Sequence, residues 1–411
     1  MDNRNSCRFC GQVLNHVFAD LGEQPPSNSF LTKEQLTLPE EKFPLKVFVC
    51  DHCFLVQVGE VKKATEIFNE SYAYFSSYSS TWVEHCRNYA EMIVDRLRLD
   101  ASNRVIEIAS NDGYLLQFFL QKKIPVLGIE PTANTAAAAI EKGIDTKINY
   151  FTTVLAKELA ASAISADLLI GNNVLAHVPD INDFVNAMKI MLAKEGTITM
   201  EFPHLLQLVQ QNQFDTIYHE HFSYFSFHTV KKIFVAHDLT IFDVEEVPTH
   251  GGSLRIYARH AAAETLIHSR VHALLQKEED AGMMSLSFYL SFQQQIDKVK
   301  TNFIKFLRKA KQANKKVAAH GAAAKANTLL NYCKLKEDLI SFVSDNSPHK
   351  QGKYLPGSHI PVVHPDRHLE LKPDYIIIFP WNIREEIMQQ FDFARRWHAE
   401  FVTAIPQLHV S

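Results

Sequence analysis

Two cysteine pairs constrain the start of this chain more than any other feature: Cys7 with Cys10 in CRFC, and Cys50 with Cys53 in CDHC. In a reducing compartment such pairs act as metal ligands rather than disulfides. Each Cys-x-x-Cys grips a tetrahedral ion from one tight turn, and two of them complete an all-thiolate shell suited to Zn²⁺. Four sulfurs leave no open coordination position. The expected zinc is therefore structural, and it holds together a segment too small for a core of its own. His52 lies inside the second pair as an alternative ligand, while Cys86 and Cys333 read as packing residues.

At 411 residues the chain exceeds what one hydrophobic core usually supports, so several domains are expected. Hydrophobic content of 46% and charged content of 21% are those of an ordinary globular protein. No apolar run approaches the roughly 20 residues of a membrane helix. The start, MDNRNSCRFCGQ, lacks the apolar centre of a secretion signal. A formal net charge of −4 with no densely basic stretch argues against nucleic acid as the main partner. The expectation is a cytoplasmic protein with neither a membrane nor a nucleic-acid partner.

Residues 1–70 read as the zinc module. From Arg104 the pattern alternates: RVIEIA, VLGIE, DLLIGNNVL and TITMEF are short apolar strands separated by helical stretches. That alternation marks an α/β domain with a largely parallel sheet, assigned here to 71–262. A charged helical connector, 263–315, is expected to pack across the domains. A second α/β unit, 316–411, opens with KKVAAHGAAAKANTLLNYC as strand, turn and helix. LISFVSDN and DYIIIFPWN continue it, and EFVTAIPQLHV supplies a closing strand.

The chemistry gathers at strand ends. After RVIEIA a loop holds Asn111, Asp112 and Gly113, where glycine allows backbone to approach a ligand. At the end of the next strand Glu130 stands 23 residues beyond Glu107. An acid there accepts hydrogen bonds from the ribose hydroxyls of an adenosine. No G-x-G-x-x-G is present. Further on, YHEHFSYFS places Tyr218, His219, Glu220 and His221 side by side. An extended segment would send Tyr218 and Glu220 to one face and His219 and His221 to the other. A zincin-type metal site is excluded, because Ser223 stands near the place of the required second histidine.

E-x-A-x-N-D-G, followed by G-I-E-P-T and N-N-V-L-A-H, resembles the S-adenosylmethionine-dependent methyltransferases. With CRFC…CDHC before it and YHEHFSYFS, HGGSLR and HGAAAKANTLL after it, the chain is similar to the sugar C-methyltransferases over nearly its whole length. Those enzymes act at C3 of nucleotide-linked 4-keto-deoxyhexoses. The resemblance implies an α/β architecture: an N-terminal zinc-binding module, a central Rossmann-like class I methyltransferase domain and a C-terminal Rossmann-like α/β domain. The simplest arrangement is a monomer with three domains around one cleft.

The same resemblance implies roles. Glu107, Asn111, Asp112, Gly113, Glu130, Asn172 and Asn173 hold S-adenosylmethionine. His221 is the base at C3, and Glu220 orients or tunes it. Tyr218 hydrogen-bonds the sugar or its enolate, His177 holds the 4-keto oxygen, and Tyr72 reaches into the same pocket. His219 is left a structural role. A neutral-range imidazole suits the base, whose help is typically worth roughly 10²–10⁴ in rate.

In the C-terminal unit a helix starting near Lys325, with small residues before it, is a natural diphosphate site. By resemblance this region takes the nucleotide half of a dTDP-4-keto-deoxysugar. Lys325, Asn327, Gly321, Asp345 and Lys353 are the candidates, and Arg255 of HGGSLR reaches toward it from a glycine-hinged loop. Two competing readings are an NAD-dependent nucleotide-sugar epimerase or dehydrogenase, and a non-catalytic zinc-knuckle adaptor.

Overall fold

The computed structural model describes residues 6–59 and 75–411. Tyr72 therefore lies outside the described residues. Strands β1 (His16–Gln24), β2 (Phe43–Val49) and β3 (Val56–Val58) form an antiparallel sheet in the zinc module. In β2 the alternation FPLKVFV sends Leu45, Val47 and Val49 inward and leaves Lys46 and Phe48 partly exposed. The inward face joins a core that also contains Phe292, Ile296 and Phe303 of a long helix and Val317 and Ile377 of the C-terminal unit.

The central sheet takes β4 (Val105–Ile108), β5 (Val126–Ile129), β6 (Thr146–Lys147), β7 (Ala166–Asn172) and β8 (Leu192–Pro203) as parallel strands. A short strand, β9 (Ser223–Tyr224), leaves this domain and pairs antiparallel with β3 as the fourth strand of the zinc-module sheet. Then β10 (Leu239–Val247) and β11 (Ser253–His260) return to the central sheet as an antiparallel pair, β11 lying against β8. The resulting order is β10-β11-β8-β7-β4-β5-β6. All four residues of β4 are buried, as expected for a central strand covered on both faces. HGGSLR is accordingly not one loop: His250 to Gly252 make a turn, and Arg255 sits within β11.

The connector is helical, with helices Ser269–Asp280, Leu286–Leu290 and Phe292–Gln312. In the last, Phe292, Ile296, Val299, Phe303, Leu307 and Ala310 recur at three- and four-residue spacing and are buried. Truncating Phe303 to alanine there costs about 3–5 kcal/mol. The C-terminal sheet contains β12 (Val317–His320), β13 (Val343–Ser344), β14 (Val362–Val363), β15 (Tyr375–Ile378), β16 (Glu400–Thr403) and β17 (His409–Val410). Its order is β14-β13-β12-β15-β16-β17, parallel except for β17. The strand order reverses between β12 and β15, which is where open α/β sheets leave a ligand crevice. No helix among the described residues is long and apolar enough to cross a membrane.

Candidate active site

The four thiols converge. Cys7, Cys10, Cys50 and Cys53 offer sulfurs that all lie within 4.8 Å of one another. The Cys7–Cys53 and Cys10–Cys50 separations are 3.5 Å and Cys10–Cys53 is 3.7 Å. A tetrahedron with Zn–S bonds of about 2.3 Å has edges of about 3.8 Å, so the donor set fits a structural zinc ion. Gln57 of β3 donates from Nε2 to Cys7 Sγ at 3.3 Å and accepts the Arg8 N–H at 2.9 Å. Such outer contacts orient the metal's ligands. The Arg8 guanidinium extends the knuckle outward, donating to the carbonyls of Val58 at 2.7 Å and Phe222 at 3.1 Å. Phe222 follows His221 directly, so the zinc module grips the histidine-bearing turn.

At the end of β4 the loop carrying Asn111, Asp112 and Gly113 is held from several sides. Glu130 accepts the Asn111 N–H at 2.9 Å and, on its other oxygen, the Thr132 N–H at 2.9 Å. Asn111 has a φ of 48° and its side-chain oxygen accepts the Ser76 N–H at 2.9 Å. Asp112 accepts from the Ser77 hydroxyl and lies 3.5 Å from Lys142 Nζ. Glu107 is fully buried, and burial pushes its carboxyl well up, with the Tyr114 hydroxyl opposing. Gly113 serves packing rather than ligand approach. Its φ is +75°, and a Cβ there would stand 2.3 Å from Ile144 Cδ1.

Asn172 ends β7. Asn173 turns out of it with a φ of 54°, donating its N–H to the Glu201 carbonyl at 2.7 Å and Nδ2–H to His250 at 3.0 Å. Asp112 Oδ1 and Asn173 Oδ1 are buried with no hydrogen-bond partner among the described residues. Enclosed acceptors at the ends of β4 and β7 fit the ammonium and hydroxyl groups of S-adenosylmethionine.

The YHEH segment is a turn, not a strand. The His221 N–H returns to the Tyr218 carbonyl at 3.0 Å, which brings the rings of Tyr218 and His221 to 4.1 Å between centroids. His221 donates Nδ1–H to the Thr216 carbonyl at 2.9 Å. A carbonyl only accepts, so this bond assigns the proton to Nδ1 and leaves Nε2 as the acceptor. His177, ending the turn after β7, donates Nδ1–H to the Glu220 carbonyl at 2.8 Å. Burial and then the neighbouring His177 push the His221 imidazole well below its ordinary value. Burial takes His177 to about 4, the Glu220 carbonyl opposing.

Glu220 departs from its expected role. Its carboxylate accepts from Asn28 Nδ2 at 2.6 Å and makes no hydrogen bond to His221. Burial pushes the carboxyl up to about 7, with Asn28 opposing. Orientation of His221 falls to Thr216, which no motif marked. His219 packs against Phe43 of β2, its ring centroid 6.1 Å away, on the zinc-module side of the turn.

The C-terminal candidates separate. Lys325 Nζ donates to Asn382 Oδ1 at 2.8 Å and lies 4.5 Å over the Trp381 ring. Gly321, with a φ of +92°, makes room for Pro380, 2.3 Å from where its Cβ would be. Asp345 accepts the Ala322 N–H at 2.9 Å and the Ser347 N–H at 2.9 Å, closing the turn between β12 and its helix. Lys353 pairs through its carbonyl with the Val362 N–H at 2.8 Å. Asn327 is no surface ligand: it is fully buried and donates to the Ser27 carbonyl at 2.6 Å, tying the zinc module to this unit.

Arg255 is likewise internal. It is 6% exposed and donates to Glu201 Oε2 at 2.7 Å, with its guanidinium 4.5 Å over the Tyr89 ring. His85 and Thr249 complete the shell around Glu201 at 3.0 Å and 2.8 Å. Burial opposes ionisation of Glu201, but His85 and Arg255 hold its carboxyl down at about 2. The expectation of a loop cation reaching a diphosphate is overturned, because the β8–β11 pairing turns Arg255 toward a buried acid.

Residues 7–68 match the family described as "Putative zinc binding domain", 82–244 the "Methyltransferase domain" and 248–406 the "C-methyltransferase C-terminal domain". The C-methyltransferase NovU of Streptomyces niveus is 33% identical over 406 residues, covering 99% of this chain and 96% of the relative. Among solved structures, the PH0226 protein of Pyrococcus horikoshii OT3 is 12% identical, with TM-score 0.37 over 48% of this chain and 99% of that one. A SAM-dependent methyltransferase of Anabaena variabilis ATCC 29413 is 14% identical, with TM-score 0.36 over 42% and 83%. A dehydrogenase and a zinc-knuckle adaptor, the two competing readings, are set aside by this agreement along the whole chain. Three family models follow one another along the chain and the relative matches it over nearly the whole length of both, and the chain belongs to the S-adenosylmethionine-dependent C-methyltransferase family.

Proposed function

We propose that the enzyme methylates C3 of a dTDP-linked 4-keto-deoxyhexose through an enolate, in the making of a branched-chain deoxysugar. The observation that carries this reading is the tautomer of His221: Nδ1–H is anchored on Thr216, so Nε2 is held as a base beside Tyr218 and His177. A ketone at C4 acidifies the C3 proton, because the resulting electron pair delocalises onto oxygen. His221 Nε2 takes that proton, and the C3–H pair moves toward the C4 oxygen. Tyr218 is the donor assigned to the developing oxyanion, a role a phenol fills well, with Tyr72 the second candidate. The expected part of His177 in holding that oxygen falls away, because its one ring proton goes to the Glu220 carbonyl. S-adenosylmethionine supplies the methyl carbon, and its sulfur keeps the electron pair of the broken C–S bond. Collapse of the enolate restores the ketone as its electron pair forms the bond from C3 to the methyl carbon, and the proton on His221 passes to solvent.

The nucleotide half is assigned to the C-terminal unit. A cleft of about 360 Å³ opens beyond β15 and β16, lined among others by Trp381, Asn382, Arg384, Thr403 and Gln407. Lys325 stands at its margin through Asn382, and Gly321, Asp345 and Lys353 frame the neighbouring strand ends. No disulfide joins any of the six cysteines, which fits a cytoplasmic setting, and a monomer suffices for a site built within one chain.

The test is incubation with a dTDP-4-keto sugar in D₂O. Deuterium is expected to enter C3 without cofactor, and methyl transfer to follow when S-adenosylmethionine is added. His221→Asn is expected to lose both, and Glu130→Ala to lose transfer while keeping exchange. Undiminished exchange by His221→Asn removes the proposed base.

A further inference from the structure

Trp381 stands where three segments meet. It follows β15, and its indole projects out of the C-terminal unit. Nε1–H donates to Asp215 Oδ2 at 2.8 Å, and the Lys325 ammonium lies 4.5 Å over the ring. The far edge of the ring fills space beside Gly251, where a Cβ would stand 2.3 Å from Trp381 Cη2. Gly251 also holds a φ of +88°, so the turn between β10 and β11 accepts the indole only because that residue lacks a side chain.

Asp215 is 1% exposed, and its Oδ1 has no hydrogen-bond partner among the described residues. The next residue, Thr216, provides the carbonyl that anchors His221 Nδ1. Thr216 is bound back on Gln213, its hydroxyl donating to the Gln213 carbonyl at 2.7 Å, and Gln213 Nε2 donates to the Gly251 carbonyl at 2.7 Å. One short turn thus carries the indole contact at Asp215 and the base anchor at Thr216.

We infer that Trp381 is a positioning residue for His221, fixing the Thr216 carbonyl through its hydrogen bond to Asp215. The inference rests on the reading of His221 as the base. It gives the C-terminal unit a task besides holding nucleotide: its docking completes the geometry of proton abstraction. A base displaced by a fraction of its contact distance loses rate steeply, about 10²-fold for 1 Å.

The test uses the full-length, zinc-loaded enzyme and four variants. Trp381→Phe keeps an aromatic face toward the nucleotide cleft and removes the N–H, Asp215→Ala removes the acceptor, and the third combines the two. Asp215→Asn keeps an oxygen to accept the indole proton. Steady-state kcat and KM with a dTDP-4-keto sugar are read beside cofactor-free deuterium exchange at C3. Each of the first two is expected to lower kcat and exchange about tenfold with KM within about twofold, the value of one lost hydrogen bond. The combined variant is expected to lose no more than either alone, and Asp215→Asn to stay within about twofold of the parent. A raised KM at unchanged kcat, or losses that multiply in the combined variant, overturns the inference. So does an Asp215→Asn variant as slow as Asp215→Ala. If His221→Asn is inert while Trp381→Phe exchanges normally, this inference alone fails. If His221→Asn exchanges normally, the base assignment fails first.

Discussion

His177 and His221 meet edge to face, ring centroids 4.7 Å apart and planes at 66°, and each donates its Nδ1 proton to a backbone carbonyl. Two buried imidazoles at that distance resist carrying charge together, which keeps His221 neutral at pH 7. A base acts unprotonated, so only acid removes it. The exchange rate is expected to stay level from about pH 8 down through the ordinary histidine range near 6.5 and to fall only well below it, as the imidazole protonates. Glu220, pushed up to about 7 by burial, would instead produce an acid limb centred near neutrality. An initial-rate profile with that limb near pH 7 reassigns the proton acceptor to Glu220.

Replacing His221 by asparagine is expected to slow C3 exchange by roughly 10²–10⁴, the usual worth of a positioned base. Glu220→Gln keeps the backbone carbonyl that holds His177 and changes only the contact to Asn28. Its exchange rate is expected within about tenfold of the parent, the value of one buried hydrogen bond. Deuterium incorporation followed by mass spectrometry separates the two variants.

The zinc knuckle is linked to the Tyr218–His221 turn through β3, β9 and Arg8. One zinc ion per chain is expected by elemental analysis, held by Cys7, Cys10, Cys50 and Cys53. Arg8→Ala is expected to retain that zinc and to lower kcat about tenfold, because the Phe222 carbonyl loses a charged donor. Loss of zinc in this variant instead makes Arg8 part of the knuckle's own stability.

Arg255 and Glu201 form a buried ion pair. Removing one partner leaves a buried charge alone, so Arg255→Ala is expected to destabilise the fold by about 3–5 kcal/mol. Denaturant unfolding measures it. A fully stable variant with only a raised KM for the sugar nucleotide restores the earlier assignment to substrate.

His320 and His368 flank the Ser344 hydroxyl at 2.9 Å each in the C-terminal core. Burial lowers His320 to about 4 and His368 to about 3. Both bind protons less readily folded than unfolded, so stability is fullest above the unfolded value of about 6.5 and is lost as pH falls toward 4. The loss is expected to reach a few kcal/mol per histidine. His368→Gln is expected to flatten the pH dependence of the melting temperature, and an unchanged slope assigns it to other groups.

The four thiols, the alternation of strands and helices from Arg104 and the polar ends of β4, β5 and β7 were legible in the sequence. Each is a local pattern whose physics lies in neighbours along the chain: ligand spacing, period, and a turn after a strand. The reading failed where contacts come from far away. YHEH, weighed as an extended segment, closes as a turn just before β9 leaves to pair with the zinc-module sheet. Glu220 went to Asn28, Asn327 to Ser27 and Arg255 to Glu201, partners that no spacing reveals. The sequence by itself determined which residue types are present for metal, cofactor and proton transfer. Only the tertiary structure decided that a Thr216 carbonyl chooses the proton-bearing nitrogen of His221, since that choice depends on a hydrogen bond set by the packing of Asp215, Gly251 and Trp381 from three separate segments.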